Sequence, residues 1–106
     1  MKHIAFHRVY WPSGCFEVMP VITVDEKGFY QFHYILTEEM PAVIWNGGVG
    51  LLLPPEAVPQ PGDSIDALLR ETNPDVSPHA LRLWSADGLP ADADILTPVF
   101  RWYPVF

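Results

Sequence analysis

The chain has 106 residues, of which 49% are hydrophobic and 13% aromatic, and 13 acidic residues against 6 basic ones give a net charge of −7. This composition excludes an intrinsically disordered chain, and the longest apolar stretch, residues 49–53, is far too short to span a membrane. The basic residues are scattered singly, so the sequence has no basic cluster for nucleic acid or for an anionic membrane. We expect one soluble domain over residues 1–106 that binds neither.

Cys15 is the single cysteine of the sequence, so no disulfide bond can form within the chain. The residues before it do not match a signal peptide, because His3, His7 and Arg8 interrupt the apolar segment that such a peptide needs. We therefore expect a cytoplasmic protein.

Residues 1–54 show the alternation of apolar and polar positions that is typical of antiparallel strands. Pro20 interrupts one of these segments and predicts a sheet edge or a bend, because proline has no backbone donor. Asn46-Gly47-Gly48 is a strong turn signal between the last two segments. The predicted strands cover residues 3–10, 16–24, 29–36, 42–45 and 49–53.

The segment Asp25-Glu26-Lys27-Gly28 predicts a hairpin turn between the second and third of these strands. Beyond the turn, aromatic residues alternate with polar ones. A strand with this period of two presents one face to the core, so we expect Tyr30, Phe32 and Tyr34 to be buried together there.

Residues 55–94 predict a loop region with one or two short helices, and residues 95–106 predict a C-terminal strand. Asp63 is the expected N-cap of the first helix. Ser77-Pro78 predicts that a second short helix covers residues 79–84, although Leu81, Arg82 and Leu83 alternate equally well as a strand. The expected fold is mainly β, a small antiparallel β-sandwich or sandwich-like sheet with one or two short helices in the second half.

No segment matches a catalytic, nucleotide-binding or calcium motif, so the sequence predicts no catalytic, cofactor-binding or metal-ligating residue and no cofactor. His3 and His7 are four residues apart in a predicted strand, a separation of about 13 Å. That distance is too long for both to bind one ion unless other strands converge on them. A small enzyme or metal-binding protein that uses His3, His7, His33 and Glu17 is the alternative function.

The C-terminal segment is aromatic where most chain termini are polar, because it contains Trp102, Tyr103 and Phe106. Pro98 and Pro104 cannot donate to a strand ladder, and this favours a sheet edge. We predict Trp102, Tyr103 and Phe106 as residues of an interface with a second copy of the chain. Burial in the chain's own core remains an equal alternative at this point.

The order of motifs in the first half resembles the N-terminal composite β-sandwich of metal-dependent amidohydrolases. The residues that carry the resemblance are Val24-Asp25-Glu26-Lys27-Gly28, Thr37-Glu38-Glu39, Trp45-Asn46-Gly47-Gly48 and Val49-Gly50-Leu51-Leu52-Leu53-Pro54. After that proline the family continues with a glycine and a His-x-His metal pair, whereas this chain continues with Pro55-Glu56-Ala57-Val58-Pro59 and has no further histidine until His79. The resemblance thus implies a free-standing sandwich module without the barrel or the metal ligands. We expect a non-catalytic binding or accessory module that forms a homodimer or binds a protein partner.

Overall fold

A computed structural model describes residues 1–35, 43–73, 75–87, 89 and 94–105. The predicted Thr37-Glu38-Glu39 motif and Phe106 lie outside these residues. The described ranges contain one α-helix, α1 (Ile65–Arg70), and one 3₁₀ helix, Pro78–Ala80. The strands in them are β1 (Lys2–Ala5), β2 (Arg8–Tyr10), β3 (Phe16–Val18), β4 (Pro20–Val24), β5 (Tyr30–Ile35), β6 (Val43–Trp45), β7 (Val49–Leu53), β8 (Arg82–Asp87) and β9 (Arg101–Pro104).

These strands form two sheets, which confirms the predicted mainly β, sandwich-like fold. Sheet A has the order β5-β4-β1-β6, and sheet B has the order β3-β2-β7-β8-β9. Apolar side chains from both sheets fill the space between them, among them Phe6, Val9, Ile22, Leu52 and Leu83. The fold therefore buries one apolar core between two layers, as a sandwich does.

Three segments cross from one sheet to the other. The crossings lie between β1 and β2, between β3 and β4, and between β6 and β7, and backbone hydrogen bonds join them. The Phe6 N–H donates to the Pro20 carbonyl (3.1 Å), and the His7 N–H donates to the Gly48 carbonyl (3.0 Å). Met19 has a φ of 55° where the chain turns into β4. The bend predicted from Pro20 is present, and this proline begins β4.

Two strand pairs are parallel, although the sequence indicated antiparallel strands throughout residues 1–54. β6 runs parallel to β1, and β7 runs parallel to β2. The turn at residues 46–48 is the reason, because it carries the chain from sheet A to sheet B and does not fold β7 back onto β6 as a hairpin would. The strand predicted at residues 49–53 is found with the same bounds.

The hairpin between β4 and β5 is confirmed, but the predicted burial of Phe32 is wrong. A β-bulge shifts the register, so that Thr23 lies opposite Phe32 while Val24 lies opposite Tyr30. Gln31 is the extra residue, and it reverses the alternation along β5. Tyr30 therefore faces the core with Val24, whereas Phe32 lies on the outer face of sheet A and is 47% exposed.

Helix α1 covers the outer face of sheet B. Its residues Ile65 and Leu68 pack into a second apolar cluster with Leu51, Trp84 and Trp102 of the sheet. The helix begins after Ser64, whose Oγ accepts a hydrogen bond from the Ala67 N–H at 3.1 Å.

The N-cap predicted at Asp63 is wrong by one residue. The Asp63 carboxylate instead accepts a hydrogen bond from the Gln60 N–H at 2.8 Å. Asp63 is thus used to close the turn before the helix.

The helix predicted over residues 79–84 is wrong, and the strand alternative is correct for its second part. A single 3₁₀ turn, Pro78–Ala80, precedes β8, which pairs with β7 on one side and β9 on the other. Leu83 and Trp84 point to opposite faces of sheet B, and both are buried. The C-terminal strand is also shorter than the predicted range of residues 95–106, since it covers Arg101–Pro104.

Candidate functional site

The four side chains of the alternative metal site are not brought together. His3 lies in the cross-strand row with Thr23 and Phe32, whereas His33 lies opposite Ile22, so the two imidazoles are on opposite faces of sheet A. Glu17 belongs to β3 of sheet B. Across the residues that the structure describes, no group of three or more His, Cys, Asp or Glu side chains could hold a metal ion.

Each of these histidines instead contacts a neighbour within the fold. His3 Nδ1 is 2.7 Å from the Thr23 hydroxyl, and the His7 ring packs edge-on against Trp45 at 4.9 Å between centroids. His33 Nδ1 is 2.8 Å from the Tyr30 hydroxyl.

Tyr30 lies at the centre of a small aromatic cluster at the start of β5. Its hydroxyl contacts His33, its carbonyl oxygen lies 3.2 Å from His79 Nδ1, and its ring packs edge-on against Trp11 at 5.1 Å. Burial raises the pKa of the Tyr30 hydroxyl. These contacts give both the hydroxyl and the carbonyl oxygen of Tyr30 a partner within the fold.

The C-terminal strand is bound into the core of its own chain through Trp102. This side chain is 8% exposed, packs with Val99 and helix α1, and its Nε1 donates to the Asp63 carbonyl at 3.3 Å. Tyr103 points to the other face and is 44% exposed. The predicted interface residues therefore divide between a buried Trp102 and an accessible Tyr103.

An exposed aromatic surface surrounds Tyr103. The Arg101 guanidinium donates to the Tyr103 hydroxyl at 3.2 Å and lies 5.9 Å from the centre of the Phe100 ring, which is 78% exposed. The hydrogen bond to Tyr103 raises the pKa of Arg101. We call Phe100, Arg101 and Tyr103 the C-terminal patch. A shallow hollow lined by Pro61, Gly62, Pro98, Val99 and Phe100 adjoins it.

The outer side of β9 lacks one backbone donor for pairing with another strand. The Val105 N–H donates to the Leu83 carbonyl at 2.9 Å, so by alternation the backbone groups of Trp102 and Pro104 point away from β8. Pro104 has no N–H to donate there. One backbone donor is thus missing from this edge, which weakens the pairing of another strand with β9.

The opposite edge of sheet B is a surface that the sequence analysis missed. Phe16 is 47% exposed and Val18 is 56% exposed, both in the edge strand β3. Their apolar alternation predicted that both side chains face the core. A period of two places them on one face of the strand but does not tell whether that face is covered. No signal in the local sequence distinguishes the two cases.

No helix in the described ranges is long and apolar enough to cross a membrane. Comparison with protein-family models, with curated proteins and with solved structures gives no significant match. The resemblance to the composite sandwich of amidohydrolases therefore stays a prediction.

Proposed function

We propose that this chain is a non-catalytic binding module whose partner is a second copy of itself, bound through the C-terminal patch. The observation that carries the proposal is the exposure of two large aromatic side chains, Tyr103 and Phe100, the second of which lines an open apolar hollow. Leaving such side chains in water forgoes burial of roughly 1.5–3 kcal/mol each. Aromatic residues and arginine are also the types enriched at protein interfaces.

The patch is built on a rigid support. Trp102, between Arg101 and Tyr103 in the strand, is fixed in the core, and the ladder with β8 holds the backbone on one side. Arg101 is held by its contacts with both aromatic neighbours. A surface that is ordered before binding loses less conformational entropy when the complex forms, and this favours association.

Charge around the patch favours a second copy as the partner. Asp87 lies opposite Arg101 in the ladder between β8 and β9, and both side chains are exposed. Asp87 of the same chain attracts Arg101 and contributes to its raised pKa, although no carboxylate in the described part of the chain lies within ion-pair distance of it. In a two-fold symmetric dimer, Arg101 of each copy faces the same patch on the other, so Asp87 of that copy is available to it.

We also propose that the protein acts in the cytoplasm, because the exposed, unpaired thiol of Cys15 is stable in its reduced form there. The alternative function is a small enzyme or metal-binding protein that uses His3, His7, His33 and Glu17. Within the described ranges, no contact between these side chains supports it.

Sedimentation of the purified chain at micromolar concentration tests the proposal. We expect a mass of twice 12.0 kDa for the wild-type protein and the monomer mass for a Phe100→Ser/Tyr103→Ser double variant. Phe16→Ser is the matched control, since it removes an exposed aromatic residue at the opposite edge and should leave the dimer intact. A monomeric wild-type protein, or a double variant that stays dimeric, would contradict the proposal.

A further inference from the structure

The edge strand β3 presents unpaired backbone groups in a regular order. The Met19 N–H donates to the His7 carbonyl and the Trp11 N–H donates to the Cys15 carbonyl, both at 2.8 Å. These bonds, with the register of β2 and β3, make Val9 and Glu17 the hydrogen-bonded pair between them. The N–H and C=O groups of Phe16 and Val18 consequently point away from β2, toward the open side of the sheet.

No strand in the described part of the chain pairs with the outer side of β3. Neither Phe16 nor Val18 is a proline, neither side chain is charged, and both are about half exposed. Sheets usually protect their edges with proline, lysine or inward-pointing charge. At β9, Pro104 removes one outward donor, whereas β3 keeps its outward backbone groups and is protected only by its length of three residues and by the charge of Glu17.

The charges near β3 restrict what kind of strand fits. The Arg8 guanidinium lies 4.7 Å from the centre of the Phe16 ring and donates to the Tyr10 hydroxyl at 3.1 Å. Within the described residues, no carboxylate forms an ion pair with Arg8. Glu17 points to the opposite face of the strand and is also without an ion pair there.

We infer that β3 is a strand-addition site for an extended segment of a partner protein, distinct from the C-terminal patch at the other edge. The added strand runs antiparallel to β3. It places an apolar residue opposite Val18, a basic residue opposite Glu17 and an acidic residue opposite Phe16, where the acid meets the guanidinium of Arg8. Backbone hydrogen bonds to Phe16 and Val18 supply the affinity, and the two charge pairs supply the register and the specificity.

Two synthetic peptides of identical composition test this inference. The matched probe is acetyl-Thr-Thr-Val-Lys-Glu-Thr-Thr-amide, and the control exchanges its lysine and glutamate. Each is titrated into the full-length ¹⁵N-labelled protein while the backbone amide signals are followed by NMR. We expect saturable shifts at the amides of Phe16 and Val18, with the matched probe binding about tenfold more tightly than the exchanged one.

Two variants separate the backbone contribution from the charge contribution. Val18→Pro removes an outward N–H without removing a bond to β2, so it should abolish binding while the other amide signals show that the fold persists. Arg8→Gln should keep binding but reduce the preference for the matched probe by several fold. Absence of saturable shifts at Phe16 and Val18, or binding unchanged in Val18→Pro, would overturn the inference. The oligomeric state of the same samples reports separately on the C-terminal patch.

Discussion

Replacing Trp102 by alanine gives the sharpest test of whether the C-terminal strand belongs to the core of its own chain. The side chain is 8% exposed and packs against Ile65, Leu68 and Val99. Truncating a buried aromatic side chain removes its transfer free energy and leaves a cavity, at a cost of about 3–5 kcal/mol. That is a large part of the roughly 5–15 kcal/mol by which a domain of this kind is stable, and it lowers Tm by about 10–25 °C.

The assay is urea unfolding followed by far-ultraviolet circular dichroism at two protein concentrations. Trp102→Phe is an intermediate variant, because it keeps a ring in the core but loses the N–H that donates to the Asp63 carbonyl. We expect it to cost about 1–2 kcal/mol. Tyr103→Ala is the exposed control, and its effect on the monomer should be under about 1 kcal/mol.

A different result would refute this account of the strand. If Trp102→Ala unfolded within about 1 kcal/mol of the wild type at both concentrations while its sedimenting mass fell from dimer to monomer, Trp102 would be an interface residue. Helix α1 would then not cover Trp102 of β9, and the sequence-based prediction that Trp102 is an interface residue would be right.

Two further predictions concern the hairpin. Tyr30→Ala should lower the free energy of unfolding by about 3–5 kcal/mol and Phe32→Ala by under about 1 kcal/mol, because the bulge turns Tyr30 inward and Phe32 outward. Urea unfolding measures both values, and equal losses would contradict the register. The Phe29 N–H, aided by the Lys27 N–H, holds the pKa of the Asp25 carboxyl below its ordinary value of 3.8. The ionised carboxylate therefore stabilises the turn above that pH, and this contribution disappears as the pH falls through the lowered pKa. Wild type should therefore be more stable than Asp25→Asn at neutral pH, the difference should shrink in strong acid, and a pH-independent difference in urea unfolding would argue against this role.

Local sequence was sufficient for those elements that depend on short-range chemistry. The turn before Phe29 was predictable from the acidic residues and the glycine of the loop, since Gly28 adopts a φ of 86° there. The apolar run at residues 49–53 became a strand buried on both faces. Pro20 marked the bend into β4, because proline cannot donate within a ladder.

Features that depend on distant contacts were not predictable in this way. The bulge opposite Thr23 reverses the faces of β5, and no residue of the hairpin marks it. Leu83 and Trp84 lie in a strand because β7 and β9 flank them, although the preceding Ser77-Pro78 favours a helix start.

The candidate surfaces show the same limit. Tyr103 and Trp102 are neighbours of similar character in the sequence, and tertiary packing with helix α1 and Val99 decides that Trp102 is covered. Phe16 and Val18 have the spacing of core residues, yet no element in the described part of the chain pairs with the outer side of β3.

The three crossings between the sheets have a consequence for how the chain folds and unfolds. Because the bonds between Phe6 and Pro20 and between His7 and Gly48 join the crossings, neither sheet can melt without pulling strands out of the other. Both sheets therefore belong to one cooperative unit, with no partly folded form in which one sheet persists alone. Closing the parallel pair of β1 and β6 joins residues about 40 positions apart, so chain entropy must be lost before these contacts are gained. Refolding is accordingly slow for a protein of this length, and β3 and β6 stay exposed to other chains while it proceeds.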